Sequence, residues 1–228
     1  MLIGDYHTHT LKNHGKGTIL DNAKIAYKKG LSFVGICDHG PALPFGLAVK
    51  REEIFLDSLR EAKNIDFIQV LVGVEANILD LQGNLDVSNN VLSQLDFVAV
   101  GFHYPLNYRN INWELLKAIY TGKTEKLTDA LILALEKHSR VHFVTHPMYR
   151  FPLEIERLAE ICATMGVALE LNAKHFHKGL FDPLKLDKRV QFVVNSDAHT
   201  PFDVGEISNL LPVLDKIPDN RLLNYRHS

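Results

Sequence analysis

The sequence predicts one α/β domain, a parallel barrel of seven strand–helix units, and three observations carry that expectation. Seven short apolar, β-branched runs recur along the 228 residues, separated by helical patterns. Parallel strands buried on both faces read in this way. Each run also leads into a residue suited to binding metals or protons. Finally, no linker, low-complexity tract or charge block divides the chain, so residues 1–228 are expected to form a single domain. Barrels of this kind commonly reach such a length undivided.

The first run, Gly4-Asp5-Tyr6-His7-Thr8-His9, begins almost at once. Thr18 followed by Asp21 resembles a capping box with Asp in place of Glu, and Gly30 stands where a helix would end. Phe33-Val34-Gly35-Ile36-Cys37-Asp38-His39 gives the second strand, and residues 51–62 carry Ile54, Leu56, Leu59 and Ala62 at near-helical spacing. The third and fourth strands are Val70-Leu71-Val72-Gly73-Val74-Glu75 and Phe97-Val98-Ala99-Val100-Gly101-Phe102-His103. A longer insertion follows, with helices expected at Trp113–Tyr120 and 125–138. His142-Phe143-Val144-Thr145-His146 is the fifth strand, and a helix over 153–165 is stopped by Gly166. Val167-Ala168-Leu169-Glu170-Leu171-Asn172 and the run from Val190 to His199 complete the set, and a last strong helix is expected over 204–217. An ordinary barrel of this type has eight units and about 250 residues. The tail 220–228 is short and polar and offers no eighth strand, so the expected architecture is irregular and seven-stranded.

Composition narrows the function. A net charge of −2 gives no overall basic field, which counts against long nucleic acid as a partner. No apolar run approaches the roughly 18 residues of a membrane helix, and the first residues lack the pattern of a secretory signal. Cys37 and Cys162 stand in no metal-type spacing and read as buried reduced thiols. A cytoplasmic enzyme without a membrane partner is the expectation.

In closed parallel barrels, chemistry collects at the carboxyl ends of the strands. His7 and His9 are two apart on a strand and share a face, and Asp197 and His199 repeat that spacing. His39, Glu75, His103 and His146 each stand at another strand end. Crowded imidazoles and carboxylates are costly to bury without an ion among them, so a multinuclear metal site is expected. Donors of this kind, with no thiolate, suit zinc, manganese or iron. His14, in the loop from Lys12 to Gly17, reads on its own as a surface histidine. Asp5 is expected on the face of His7, placed to orient an imidazole, whereas Asp38 faces away from His39 and is expected to satisfy backbone or helix groups. Arg150 and Lys174 follow strand ends directly and are the candidate substrate-binding cations, with Lys12 and Arg109 behind them. His175 and His177 lie on the sixth rim loop, as pocket lining or as plain surface. Tyr104, Tyr108, Trp113 and Tyr149 read as packing aromatics that could also wall the pocket.

The set Asp5-x-His7-x-His9-Thr10, Asp38-His39-Gly40, Gly73-x-Glu75, Gly101-Phe102-His103, Thr145-His146-Pro147 and Ser196-Asp197-x-His199 resembles the PHP family, named for polymerase and histidinol phosphatase. Gly40-Pro41 and Val74-Glu75-Ala76-Asn77-Ile78 make it most similar to the small stand-alone phosphatases of the YcdX type. That resemblance implies a distorted (β/α)7 TIM-like barrel holding three divalent metal ions, zinc first among the candidates, with the metal site at the C-terminal ends of the strands. It assigns His7, His9, Glu75 and Asp197 to the first ion, and Glu75 as a bridge with His103 and His146 to the second. His14, His39 and His199 fall to the third.

Paired ions can share a hydroxide and clamp a phosphoryl group from both sides of an in-line attack. Asp197 or His199 is the candidate for handling the proton at the leaving alkoxide, and Glu75 for fixing the ions that deliver the attack. The expected function is therefore hydrolysis of phosphate monoesters of small metabolites. An exonuclease or nucleotide phosphoesterase is the alternative, and a metal-binding barrel without turnover is a second. Hydrolases of amides or cyclic ureas also use His-x-His barrels, but typically have a lysine at the fourth strand's end, where this sequence has His103.

Overall fold

The computed structural model describes residues 1–44, 51–106, 112–177 and 179–227. Arg109, Tyr108 and Lys178 lie outside the described residues, so the structure says nothing of them. Seven parallel strands run in sequence order: β1 (Gly4–Thr8), β2 (Phe33–Ile36), β3 (Gln69–Asn77), β4 (Phe97–Gly101), β5 (Phe143–Val144), β6 (Ala168–Asn172) and β7 (Phe192–Asn195). Between them stand α1 (Ile19–Lys28), α2 (Ile54–Ala62), the short α3 (Asn89–Leu92), α4 (Trp113–Tyr120), α5 (Thr124–Lys137) and α6 (Ile155–Met165), with the short α7 (Leu211–Leu214) after β7.

Alternation along each strand sorts the side chains into two compartments. Val72, Val74, Ala76, Val98 and Val100 point outward, in one core with the inner stripes of the helices, such as Ala23 and Ala26 of α1 and Leu127, Leu131 and Leu135 of α5. Fully burying each leucine of that stripe contributes about 1.5–3 kcal/mol. Cys37, Phe97, Ala99, Phe143, Ala168 and Val193 point inward and, with Tyr6 and Leu71, plug the barrel interior. Polar side chains begin directly above this plug.

Several local signals act as their chemistry dictates. Thr18 caps α1 by accepting from the Asp21 backbone while Asp21 accepts from Thr18, a complete capping box. Gly166 takes φ 71° and closes α6 in the left-handed conformation that glycine adopts without penalty. The helix expected over 204–217 does not form. Val204 (ψ 124°) and Gly205 (φ 71°) leave the helical region, and the segment breaks into a 3₁₀ turn at Ser208–Leu210 and the four residues of α7, with Pro212 in the first turn. Its buried side chains, Val204, Ile207, Leu210 and Leu214, supplied the helical spacing without a continuous helix.

The seam between first and last strands is closed in two ways. At the upper end the loop after β7 pairs with β1, through Ala198 N–H to the His7 carbonyl (3.1 Å) and His9 N–H to the Ala198 carbonyl (2.8 Å). At the lower end the polar tail fills the gap. Leu222 bridges Phe192 in parallel and Tyr225 bridges Leu2 in antiparallel sense. Buried Asn224 between them donates to the carbonyls of Gly4 and Val194 (both 2.7 Å) and accepts from Val194 N–H (2.8 Å). The tail is no eighth strand, but it does part of an eighth strand's work.

Candidate metal centre

β1 carries the irregularity that builds the site. Its pairing with β2 matches Asp5 to Val34 and Thr8 to Ile36, so Tyr6 and His7 together face the single residue Gly35. That is the count of a β-bulge, a device that re-aims side chains. Gly35 is required there, because a Cβ would meet the Tyr6 backbone at 2.5 Å. The extra residue reverses the phase of alternation. Tyr6 packs into the plug among Phe33, Phe97 and Phe143, and His7 and His9 point inward just above it. Asp5 is thereby left on the outer face. It does not orient an imidazole, as expected from strict alternation, but accepts from Ser196 (side chain and N–H) and from the N–H groups of Gly205 and His7. Its work is to hold the loop after β7 against β1.

The imidazole that needs a partner, His7, finds it in Glu170 of β6, whose Oε1 lies 2.8 Å from Nδ1. Glu170 also takes the His146 N–H (2.7 Å) and bonds Thr145, Asn172 and Asn195, so one buried carboxylate links β1, β5, β6 and β7. Sequence reasoning gave it no role. The available signal was a charged residue in an apolar strand, in phase with Ala168 and Asn172 on the inner face.

Glu75 is the centre of the floor. Its Oε1 lies 3.0 Å from His103 Nε2 and 2.9 Å from His146 Nε2, and its Oε2 lies 3.1 Å from His7 Nε2, 2.9 Å from His39 Nδ1 and 3.6 Å from His9 Nε2. Asp197 stands 3.2 Å from His9, and His199 meets His14 with their Nε2 atoms 2.5 Å apart. His14 is thus gathered into the cluster rather than left on the surface. Asp197 and His199 lie beyond β7, not on it: a turn with Asp197 at φ 54° brings them in, and His146 (φ 26°) is a second non-glycine residue in this sparsely populated region. Such strain costs of order 1–3 kcal/mol per residue and persists where the surroundings enforce it, often at functional sites.

Facing pairs of ring nitrogens recur: 3.2 Å for His7 with His9 and 3.1 Å for His103 with His146. Two nitrogens held about 2.0–2.1 Å from a tetrahedral ion stand roughly 3.3 Å apart. Glu75 Oε2, buried and without a hydrogen bond of proper geometry, sits among three imidazoles. Three overlapping sets have donor atoms within 4.8 Å of one another: His7, His9 and Glu75; His39, Glu75 and His103; and His9, His39 and His199. The residues present fit divalent ions.

Comparison with known proteins agrees with this geometry. A family model described as the PHP domain matches residues 5–174. The chain belongs to the PHP family. It is 32% identical over 237 residues to a protein of Caldanaerobacter subterraneus subsp. tengcongensis named "probable phosphatase", covering 98% of this chain and 87% of that one. A second protein so named, from Thermoanaerobacter sp. strain X514, is 34% identical over 236 residues, with 98% and 90% covered. Among solved structures, histidinol phosphate phosphatase of Lactococcus lactis, complexed with zinc, L-histidinol and phosphate, superposes with a TM-score of 0.54 at 15% identity, over 94% of this chain and 93% of that one. That likeness establishes the fold.

Protonation in this PHP barrel differs from one gathered imidazole to the next. Burial, reinforced by repulsion between neighbouring imidazoles, pushes His14 down to about 3 and His103 to about 4, and lowers His9 and His199 too. These rings keep their lone pairs at neutral pH. Burial would also lower His7, but Glu75, Glu170 and Asp197 together hold it well above its usual value. Burial opposes the charge of Glu75 and Asp197, yet the imidazoles around them keep both well below the usual carboxylate range.

Above the floor opens a cavity of about 330 Å³. Arg150, Lys174, Tyr104, Tyr149 and His175 line it with Leu43, Phe102 and Phe151. His175 stacks on Tyr149 and reaches Asp197 Oδ2 at 3.2 Å, while His177 is an exposed loop residue. Lys12 turns away to Ser58 and Glu61 of α2, and Trp113 is exposed at the start of α4. Asp38 accepts from the N–H and hydroxyl of Thr10, the supporting role expected of it.

Proposed function

We propose that this chain hydrolyses phosphate monoesters of small metabolites at a centre of three divalent ions, zinc first among them. The chain is a metal-dependent enzyme of the PHP phosphatase type, and the proposal concerns the number of ions and what is cut. The observation that carries it is the convergence of His7, His9, His14, His39, Glu75, His103, His146, Asp197 and His199 on one floor beneath a cavity with two cations. Nine ligands are too many for one ion. His7, His9, Glu75 and Asp197 would hold the first ion, Glu75 with His103 and His146 the second, and His14, His39 and His199 the third.

Bound there, divalent ions supply an acidified water and positive charge against the phosphoryl oxygens. The chain does the rest. Glu75 presents one oxygen to His103 and His146 and the other to His7, His9 and His39, so a single side chain fixes the spacing of two donor sets. Lys174, with Nζ 2.8 Å from His199 Nδ1, is placed to meet a phosphoryl oxygen at the floor. Asp197 and His199 face the same space and are the groups available to the departing alkoxide. Elemental analysis with a phosphate-release assay tests the reading, and close to three transition-metal ions per chain is the expected result. Full activity in metal-free protein would refute it.

A further inference from the structure

The cavity walls bear on the other half of the substrate, the leaving group. Among the described residues lining the cavity, the carboxylates are Glu75 and Asp197, and both belong to the floor. The cations among those described residues are Arg150 and Lys174, and no further acid accompanies them there.

The two cations have different neighbours. Lys174 is beside His199, at the level of the floor. Arg150 is reached through two aromatic steps: His175 lies 3.2 Å from Asp197, the Tyr149 ring stacks on it at 3.8 Å, and the Arg150 guanidinium carbon lies 5.2 Å from the Tyr149 centroid. Lys174 is the cation beside the floor, and Arg150 lines the same cavity against the Tyr149 ring, placed for the next group of the same molecule. Its backbone is held at φ 62°, in the loop that also strains His146 and Met148, so its placement is built rather than incidental. An amino alcohol such as the L-histidinol of the Lactococcus structure would bring a like charge to this wall.

We propose that the substrate is a phosphomonoester whose leaving group itself carries a negative charge, a carboxylate or a second phosphate, held by Arg150. Planar guanidinium recognises either anion through paired hydrogen bonds. Leu43, Phe102 and Phe151 line the same cavity and offer contact to the carbon skeleton. This inference rests on the phosphatase reading and adds the charge of what departs.

The test uses metal-loaded protein and four para-substituted phenyl phosphates: 4-carboxyphenyl, the isosteric 4-carbamoylphenyl, 4-aminomethylphenyl, and 1,4-phenylene bisphosphate. The expected order of kcat/KM places the carboxylate or the bisphosphate about ten- to a hundredfold above the amide, with the ammonium lowest. Which of the two anionic probes leads tells carboxylate from phosphate. Arg150→Ala should collapse the carboxylate-to-amide ratio toward one, and Arg150→Lys should restore part of it. Equal turnover of carboxylate and amide by the wild type, or a ratio unchanged in Arg150→Ala, overturns the inference alone. Hydrolysis of none of the four removes the phosphatase reading, and the inference with it.

Discussion

Glu75 and Glu170 are buried carboxylates on the inner faces of their strands, and they do different work. Glu75 touches five imidazoles, so its removal takes a ligand from two donor sets at once. Glu75→Ala is expected to lower phosphatase activity by about a thousandfold or more, ~4 kcal/mol of transition-state stabilisation, beyond the loss from any single imidazole. Kinetics with metal content measured in parallel decide it, and wild-type turnover would show the bridge to be elsewhere. Glu170 sits behind His7 and fixes which ring nitrogen faces the floor. Outer partners of this kind typically tune metal affinity by about ten- to a hundredfold. Glu170→Gln keeps the shape but loses the charge and turns an amide NH2 toward buried donors, so zinc competition against a chelator should report weaker binding together with a lowered melting temperature. Unaltered zinc affinity would leave Glu170 as a cross-link between strands.

At the scale of elements, most of the fold was legible because each strand is short, β-branched and ended by a polar residue. The limits of α4 and the stop of α6 at Gly166 also follow from sequence. What was illegible depends on neighbours. The bulge in β1 is set by its pairing with β2, so strict alternation misplaced Asp5 while still bringing His7 and His9 to one face. The segment 204–217 has helical spacing because it packs on one side, yet Gly205 breaks it. His14 looked like a surface residue because nothing local reveals that His199 comes to meet it. The tail is the clearest case: its polarity hid Asn224, whose three short hydrogen bonds tie β7 to β1. Asn224→Ala leaves those buried backbone groups unpaired, and a loss of about 3 kcal/mol is expected. That corresponds to roughly 6–12 °C in melting temperature for a chain of this size. A shift within 1 °C would show that the seam holds without the asparagine.

At the scale of the molecule, the site is a floor beneath a cavity, and access decides which phosphates can be cut. A terminal monoester enters with one end free, whereas an internal diester must pass two flanking groups through the same opening. The stretch between β4 and β5 contributes Tyr104 and Pro105 to the cavity wall, which narrows it from one side. Small monoesters should therefore be cleaved much faster than internal bonds of a polynucleotide. Comparison of p-nitrophenyl phosphate with bis-p-nitrophenyl phosphate and a short single-stranded DNA, at matched metal, measures this. Faster turnover of the DNA would favour an exonuclease. The net charge of −2 is in keeping with a small substrate.

The stitching of residues 222–226 to the first strand makes the metal floor depend on a segment that supplies none of its ligands. His7 and His9 stand almost two hundred residues before Asp197 and His199, and the segment that seals β7 to β1 follows them. Ligands brought together from such distant parts of the chain keep their spacing only while that seal holds, so order in the seam and order in the floor are one cooperative property.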